Sequence, residues 1–188
     1  NASGLGYEAE DETLLSHESP QTLGVAGGSW CPYGLGGVSP DLAVDQREDD
    51  GRSLVFDSSP LTDALVVVGA PEVHLRLAVD QANAFVVVRL TDVSPDGVSR
   101  RVSYGMLNLS RRSGFDATVP MVPGEPTDVV IRLNDLAHQF AAGHRLRLAV
   151  STTYWPMVWP SGSPASLTLT AAASRLALPV RPLDLDDE

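Results

Sequence analysis

A single cysteine among 188 residues excludes an internal disulfide and a multi-cysteine zinc cage, and with them the stapled secreted scaffolds. Lysine is absent, and all thirteen basic residues are arginine. With abundant Ala, Gly and Pro, that bias points to a GC-rich bacterial gene. No apolar run approaches the ~20 residues that a bilayer-crossing helix needs, so no membrane association is expected, and the bacterial cytoplasm is the expected setting. Positive charge is also scarce. The net charge is −11, but its distribution is uneven. Residues 1–50 carry ten acids and one base, residues 181–188 four acids and Arg181, and the stretch between them is nearly neutral. No basic field is present to attract a phosphate backbone, so nucleic acid is excluded as a partner.

What is present is an ordinary folding composition, 43% hydrophobic and 20% charged, with sixteen glycines and fourteen prolines. That length supports one domain with a sizeable core, and the glycine and proline content favours a turn-rich fold. Asn1-Ala2 reads as the remnant of an expression tag. Residues 3–20 are acidic and lightly apolar, so 1–20 is read as tag remnant and linker, leading into a first short strand. Residues 21–182 form the domain and 183–188 an acidic tail. Within the domain, the glycine-rich stretch 24–40 is a loop.

From residue 53 the apolar positions recur with period two. Val73, Leu75, Leu77 and Val79 alternate with His74, Arg76, Ala78 and Asp80, and similar alternation runs through 129–134, 145–150, 167–170 and 176–180; this is the pattern of half-buried strands. Residues 84–90 (AFVVVRL) are almost continuously apolar, as in a strand covered on both faces. Turn signals separate these runs: Ser59-Pro60, Gly69-Ala70-Pro71, Ser94-Pro95-Asp96-Gly97 and Pro123-Gly124-Glu125-Pro126. Only Asn134–Ala142 reads as a short helix, ended by Gly143. Eight or nine such strands with almost no helix predict an all-β, antiparallel β-sandwich.

Catalytic chemistry is hard to find. Gly27-Gly28-Ser29-Trp30-Cys31 approaches a nucleophile elbow, but Cys31 stands where the last glycine is needed, and the following proline and glycines forbid the helix that such a turn requires. Cys31 itself lacks the surroundings of a nucleophile and reads as a small hydrophobe. Asp135, His138 and His144 fit no zinc-binding spacing and read as polar residues at the ends of a short helical turn. The run Asp45–Arg52 fails the calcium-loop test, because Arg47 is third and Asp50 sixth where oxygen ligands and glycine belong; its two arginines suggest a hydrogen-bonded junction between the loop and the first core strand. No catalytic residue, metal or cofactor is therefore assigned. The residues singled out are aromatic: Trp30 and Tyr33 on one loop, and Tyr154, Trp155 and Trp159 on another. Proline-stiffened aromatic loops stack on ligands, anchor domain interfaces, or plug the end of a sandwich, and all three readings stand.

Several strings then match a known family in order: Asp45-Gln46-Arg47; Leu54–Leu61 (LVFDSSPL); Gly69-Ala70-Pro71; Leu90–Gly97 (LTDVSPDG); Tyr104-Gly105-Met106-Leu107; Phe140–Leu148 (FAAGHRLRL); and the loop Tyr154–Pro160. Together they resemble the C-terminal domain of the CocE/NonD hydrolases, a family that includes cocaine esterase and is similar to the X-Pro dipeptidyl-peptidases. The resemblance implies a galactose-binding-like jelly roll. It further implies that this is a non-catalytic domain packed on an α/β-hydrolase domain earlier in the polypeptide. That partner would carry the serine triad of an ester or peptide hydrolase. On this reading the domain helps to shape the substrate cleft, and self-association is a further expectation. The alternative is a module that binds carbohydrate or another ligand through its aromatic loops.

Overall fold

The structure is a computed structural model, and it describes residues 13–29 and 42–182. Its strands are β1 (Leu14–Glu18), β2 (Leu54–Asp57), β3 (Leu65–Gly69), β4 (Glu72–Val79), β5 (Phe85–Val93), β6 (Ser99–Asn108), β7 (Thr127–Arg132), β8 (Leu136–Phe140), β9 (Arg145–Ser151), β10 (Ser166–Thr170), β11 (Arg175–Ala177) and β12 (Val180–Arg181). One sheet runs β1-β10-β4-β11, with β7 also paired to β4; a second runs β12-β3-β8, and a third β2-β9-β5-β6. The strand pairings in all three are antiparallel.

Alternation sets which face is dry. On β4, Val73, Leu75, Leu77 and Val79 are buried, and β7 places Ile131 opposite Val73 and Val129 opposite Leu75. These side chains meet Val67 of β3, Phe140 of β8, Val86, Val88 and Leu90 of β5, and Leu146 and Val150 of β9 in one core. The core thus draws on all three sheets, and the fold is the expected all-β sandwich. Strand β5 is covered on both faces, as its apolar run implied: Val86 and Val88 enter the main core, while Val87 joins a second cluster with Leu23, Tyr154 and Met157.

Two expectations are corrected. The stretch expected to be helical between Asn134 and Ala142 contains β8, which pairs with β3 from Leu65↔Phe140 to Gly69↔Leu136. Leu136, His138 and Phe140 share one face at period two, and a partner strand with free backbone groups outweighs a weak helix preference. The linker assigned through residue 20 contains β1, paired with β10 in register Leu15↔Leu169. An edge strand needs only one modestly apolar face, and Leu15 and His17 supply it while Leu14, Ser16 and Glu18 face outward. The one α-helix among the described residues, α1 (Arg47–Asp50), is a single turn that the sequence reading did not place.

Candidate functional site

The third sheet turns one face to the main core and the other to two covering segments, residues 21–29 and 44–53. On this outer face Arg89 of β5 stands opposite Tyr104 of β6 and Ala149 of β9, and Thr91 stands opposite Arg101. Arg89 is fully buried. Burying an ion costs several kcal/mol unless its partners satisfy it, so its surroundings have to be polar. Its Nη1 donates to Gln46 Oε1 at 3.2 Å and its Nη2 to Ser53 Oγ at 2.8 Å. The Asp50 carboxylate lies 3.2 Å from Nη2 and that of Asp49 3.9 Å from Nη1.

The same acids tie the covering segments down. Asp49 accepts the backbone N–H groups of Gly24 (3.0 Å) and Ala26 (3.2 Å). Asp50 accepts from Ser99 Oγ at 2.7 Å and Arg147 Nη1 at 3.2 Å. Arg147 in turn makes a two-pronged contact with Asp57, at 2.6 and 2.7 Å. The hydrogen bonds that Arg147 donates to Asp57, ahead of the lesser contribution of Asp50, hold its guanidinium firmly in its charged form. The Asp45–Arg52 run is thus the hydrogen-bonded junction its arginines suggested, with its acids turned inward. At its start, Asp45 sits below the usual carboxylate range: burial opposes this, but hydrogen bonds from the Arg47 side chain and from the Ser99 and Arg47 N–H groups prevail.

The aromatic loop rests on this base. Tyr154 is fully buried, so of the three readings left open for the aromatic residues it takes that of a plug, here on the outer face. Its hydroxyl donates to Gln46 Oε1 at 3.0 Å and accepts from Arg101 Nη1 at 2.7 Å. Burial pushes its phenol upward, against the nearby Arg101 and Arg89 charges. The loop is threaded past two glycines beside which a side chain would have no free space. A Cβ on Gly24, whose φ is +120°, would lie 1.9 Å from the Trp155 carbonyl oxygen, and one on Gly27 would lie 2.7 Å from the Tyr154 hydroxyl. The Trp155 N–H donates to the Leu23 carbonyl at 2.7 Å.

Trp155 and Trp159 point outward, 38% and 76% exposed, with ring centroids 4.9 Å apart and planes at 78°. They are two apolar rings on a rigid platform. Val25, Val44 and Met106 are further exposed apolar side chains on the covering segments and on β6. Trp30 and Tyr33, together with Cys31, lie outside the described residues.

The histidines occupy a different position from the one assigned. His138 lies on β8, and its Nε2 is 2.9 Å from one oxygen of Asp92, while His144 Nδ1 is 2.7 Å from the other. Asp135 is not with them; it pairs with Arg132 at 3.0 Å. A nearly buried carboxylate therefore joins β5 to β8 and to the turn before β9. Among the described residues no group of three or more His, Cys, Asp or Glu is arranged to hold a metal ion, and no helix is long and apolar enough to cross a membrane. Arg89, Arg101, Gln46 and Asp92 were not recognised from sequence. The available signal was an arginine in opposite phase to Val86, Val88 and Leu90, combined with two adjacent acids in an otherwise loop-like run.

With this geometry in hand, comparison with known proteins is informative. The profile of the family described as the X-Pro dipeptidyl-peptidase C-terminal non-catalytic domain matches residues 6–181. Cocaine esterase of Rhodococcus sp. (strain MB1 Bresler) is 26% identical over 115 residues, which cover 60% of this chain and 20% of that protein. An aminopeptidase from a marine sediment archaeon (Thaumarchaeota archaeon) aligns with TM-score 0.77 at 20% identity, covering 95% of this chain and 35% of the other. An alpha-amino acid ester hydrolase aligns with TM-score 0.73 at 24% identity, covering 89% of this chain and 32% of the other. These two structures share the fold. The chain spans about a fifth of the length of the curated relatives it matches.

Proposed function

This chain belongs to the X-Pro dipeptidyl-peptidase C-terminal non-catalytic domain family, and from that premise we propose that it packs on the α/β-hydrolase domain of a serine ester or peptide hydrolase and helps to shape that enzyme's substrate cleft. The observation that carries the reading is the outward pair Trp155–Trp159, held on a platform whose underside is a buried ion network. Exposed aromatic rings on a rigid support are what an interface core requires, because little side-chain entropy is lost when they are covered. The hydrogen-bonded surroundings support the same view. Beneath the platform Arg89 and Arg147 pair with Asp49, Asp50 and Asp57, so these charged groups serve to hold loops.

The decisive measurement is turnover of short-chain aryl esters and Xaa-Pro amides. The expected result is no hydrolysis by this chain alone and hydrolysis by the polypeptide that carries the preceding domain. Turnover by the chain alone, abolished by a serine-directed inhibitor, would overturn the proposal.

A further inference from the structure

We propose that Arg101 receives a carboxylate side chain of the preceding catalytic domain, as the one charged contact in an otherwise aromatic docking surface; the inference rests on the docking reading above. Arg89, Arg101, Arg145 and Arg147 stand on the outer face of the β2-β9-β5-β6 sheet. Arg89 faces Asp49 and Asp50, and Arg147 faces Asp57 and Asp50. Arg101 has no carboxylate partner among the described residues. Arg145 is exposed and donates to the Ser58 carbonyl at 3.0 Å, which leaves Arg101 as the half-buried guanidinium of this face without a described carboxylate.

Its setting is that of a prepared binding group. The guanidinium lies 4.5 Å over the Tyr104 ring and 5.7 Å from that of Tyr154, and Nη1 is held by the Tyr154 hydroxyl at 2.7 Å. Two rings and one hydrogen bond fix the planar fork, so a carboxylate could engage the remaining donors with little further loss of side-chain freedom. The site is half-buried, where a charge-assisted pair is stronger than in open water. Met106, two residues beyond Tyr104 on the same face of β6, is exposed, as are Trp155 and Trp159 on the loop that begins at Tyr154. Arginine among aromatic anchors is the composition of an interface centre. A polyanion is the wrong occupant, because a chain of net charge −11 repels it.

The test is residue-resolved footprinting by mass spectrometry, with phenylglyoxal for arginine and hydroxyl radicals for tryptophan. This chain alone is compared with the polypeptide that also carries the preceding domain. The proposal expects labelling of Arg101, Trp155 and Trp159 to fall several-fold in the longer polypeptide. It also expects Arg101→Met to restore Trp155 and Trp159 labelling there, while Arg101→Lys restores only part of it. Circular dichroism of each variant in the short chain confirms that the fold survives. Protected tryptophans with a fully labelled Arg101, or with no response to Arg101→Met, overturn the carboxylate contact and leave the docking reading intact. Tryptophans labelled equally in both polypeptides overturn both. Protection of Arg101 in the short chain by added acetate or succinate, without the preceding domain, would mark a free-ligand site and also overturn the proposal.

Discussion

Arg89 and Tyr154, sixty-five positions apart in sequence, meet at a single atom: both donate to Gln46 Oε1, at 3.2 and 3.0 Å. The Gln46 amide nitrogen donates in turn to the Ala26 and Val44 carbonyls, at 2.6 and 2.7 Å. One glutamine therefore joins the sheet, the aromatic loop and both covering segments. The platform beneath Trp155 and Trp159 is held mainly by polar contacts, and single substitutions in it should act through unpaired partners more than through lost contact area.

Arg89→Met should be among the most damaging changes in the chain. Removing the cation leaves the buried carboxylates of Asp49 and Asp50 facing each other without it, and breaking one side of a buried pair costs about 3–5 kcal/mol. Urea unfolding followed by tryptophan fluorescence measures this. A loss below ~1 kcal/mol would mean that the ion pairs contribute little.

Gly24→Ala and Gly97→Ala separate backbone strain from collision. Both glycines have positive φ, +120° and +87°, but a Cβ on Gly97 meets nothing within 4 Å, while one on Gly24 runs into the Trp155 backbone. Gly97→Ala should cost about 1–2 kcal/mol, the left-handed penalty alone. Gly24→Ala should exceed that and should shift the fluorescence of Trp155 and Trp159 in the folded state. Equal costs for the two would show that the loop relaxes around the new methyl group.

The sheets were more legible in the sequence than the platform, for a physical reason. Strands such as β4 and β7 advertise themselves because burial on one face imposes period two, and Val73, Leu75, Leu77 and Val79 obey it. The strand β8 was misread because Ala137 and Gln139 carry little strand preference, and the waiting edge of β3 determines their conformation. The aromatic loop was visible by composition, yet its division into buried Tyr154 and exposed Trp155 and Trp159 was not. That division depends on Gln46 and Arg101, which approach Tyr154 from distant parts of the chain. Arg89 was hidden for the opposite reason, since it sits within an apolar run and its partners are acids that look solvated.

Asp45 supplies a pH test. Its folded-state value lies below its ordinary value of 3.8, so its ionised form contributes stability that is present above that value. The contribution is lost as pH falls through the lower, folded value. Asp45→Asn keeps an acceptor for the Arg47 and Ser99 N–H groups but removes the charge. The stability gap between wild type and variant should therefore be constant from neutral pH down to about pH 5 and then shrink in more acidic buffer. Denaturant midpoints across that range read it directly. A gap that widens on acidification would reverse the sign and show that the folded state disfavours the carboxylate.

The exposed tryptophan pair allows the two readings of the aromatic loop to be separated. A sugar-binding loop offers an open ring face to the flat side of a pyranose, whereas the 78° angle between Trp155 and Trp159 sets one ring edge-on to the other. That arrangement suits burial under a second protein surface, where edge and face contacts both fill space. Calorimetry of this chain against a panel of mono- and disaccharides should show no saturable heat, and Trp155→Ala and Trp159→Ala should leave that result unchanged. In the polypeptide that carries the preceding domain, the same substitutions should lower thermal stability, with losses in the hot-spot range of about 2 kcal/mol or more for the ring buried at the centre. Saturable sugar binding abolished by either substitution would instead assign the loop to ligand recognition, because an interface ring has no reason to bind a saccharide in its partner's absence.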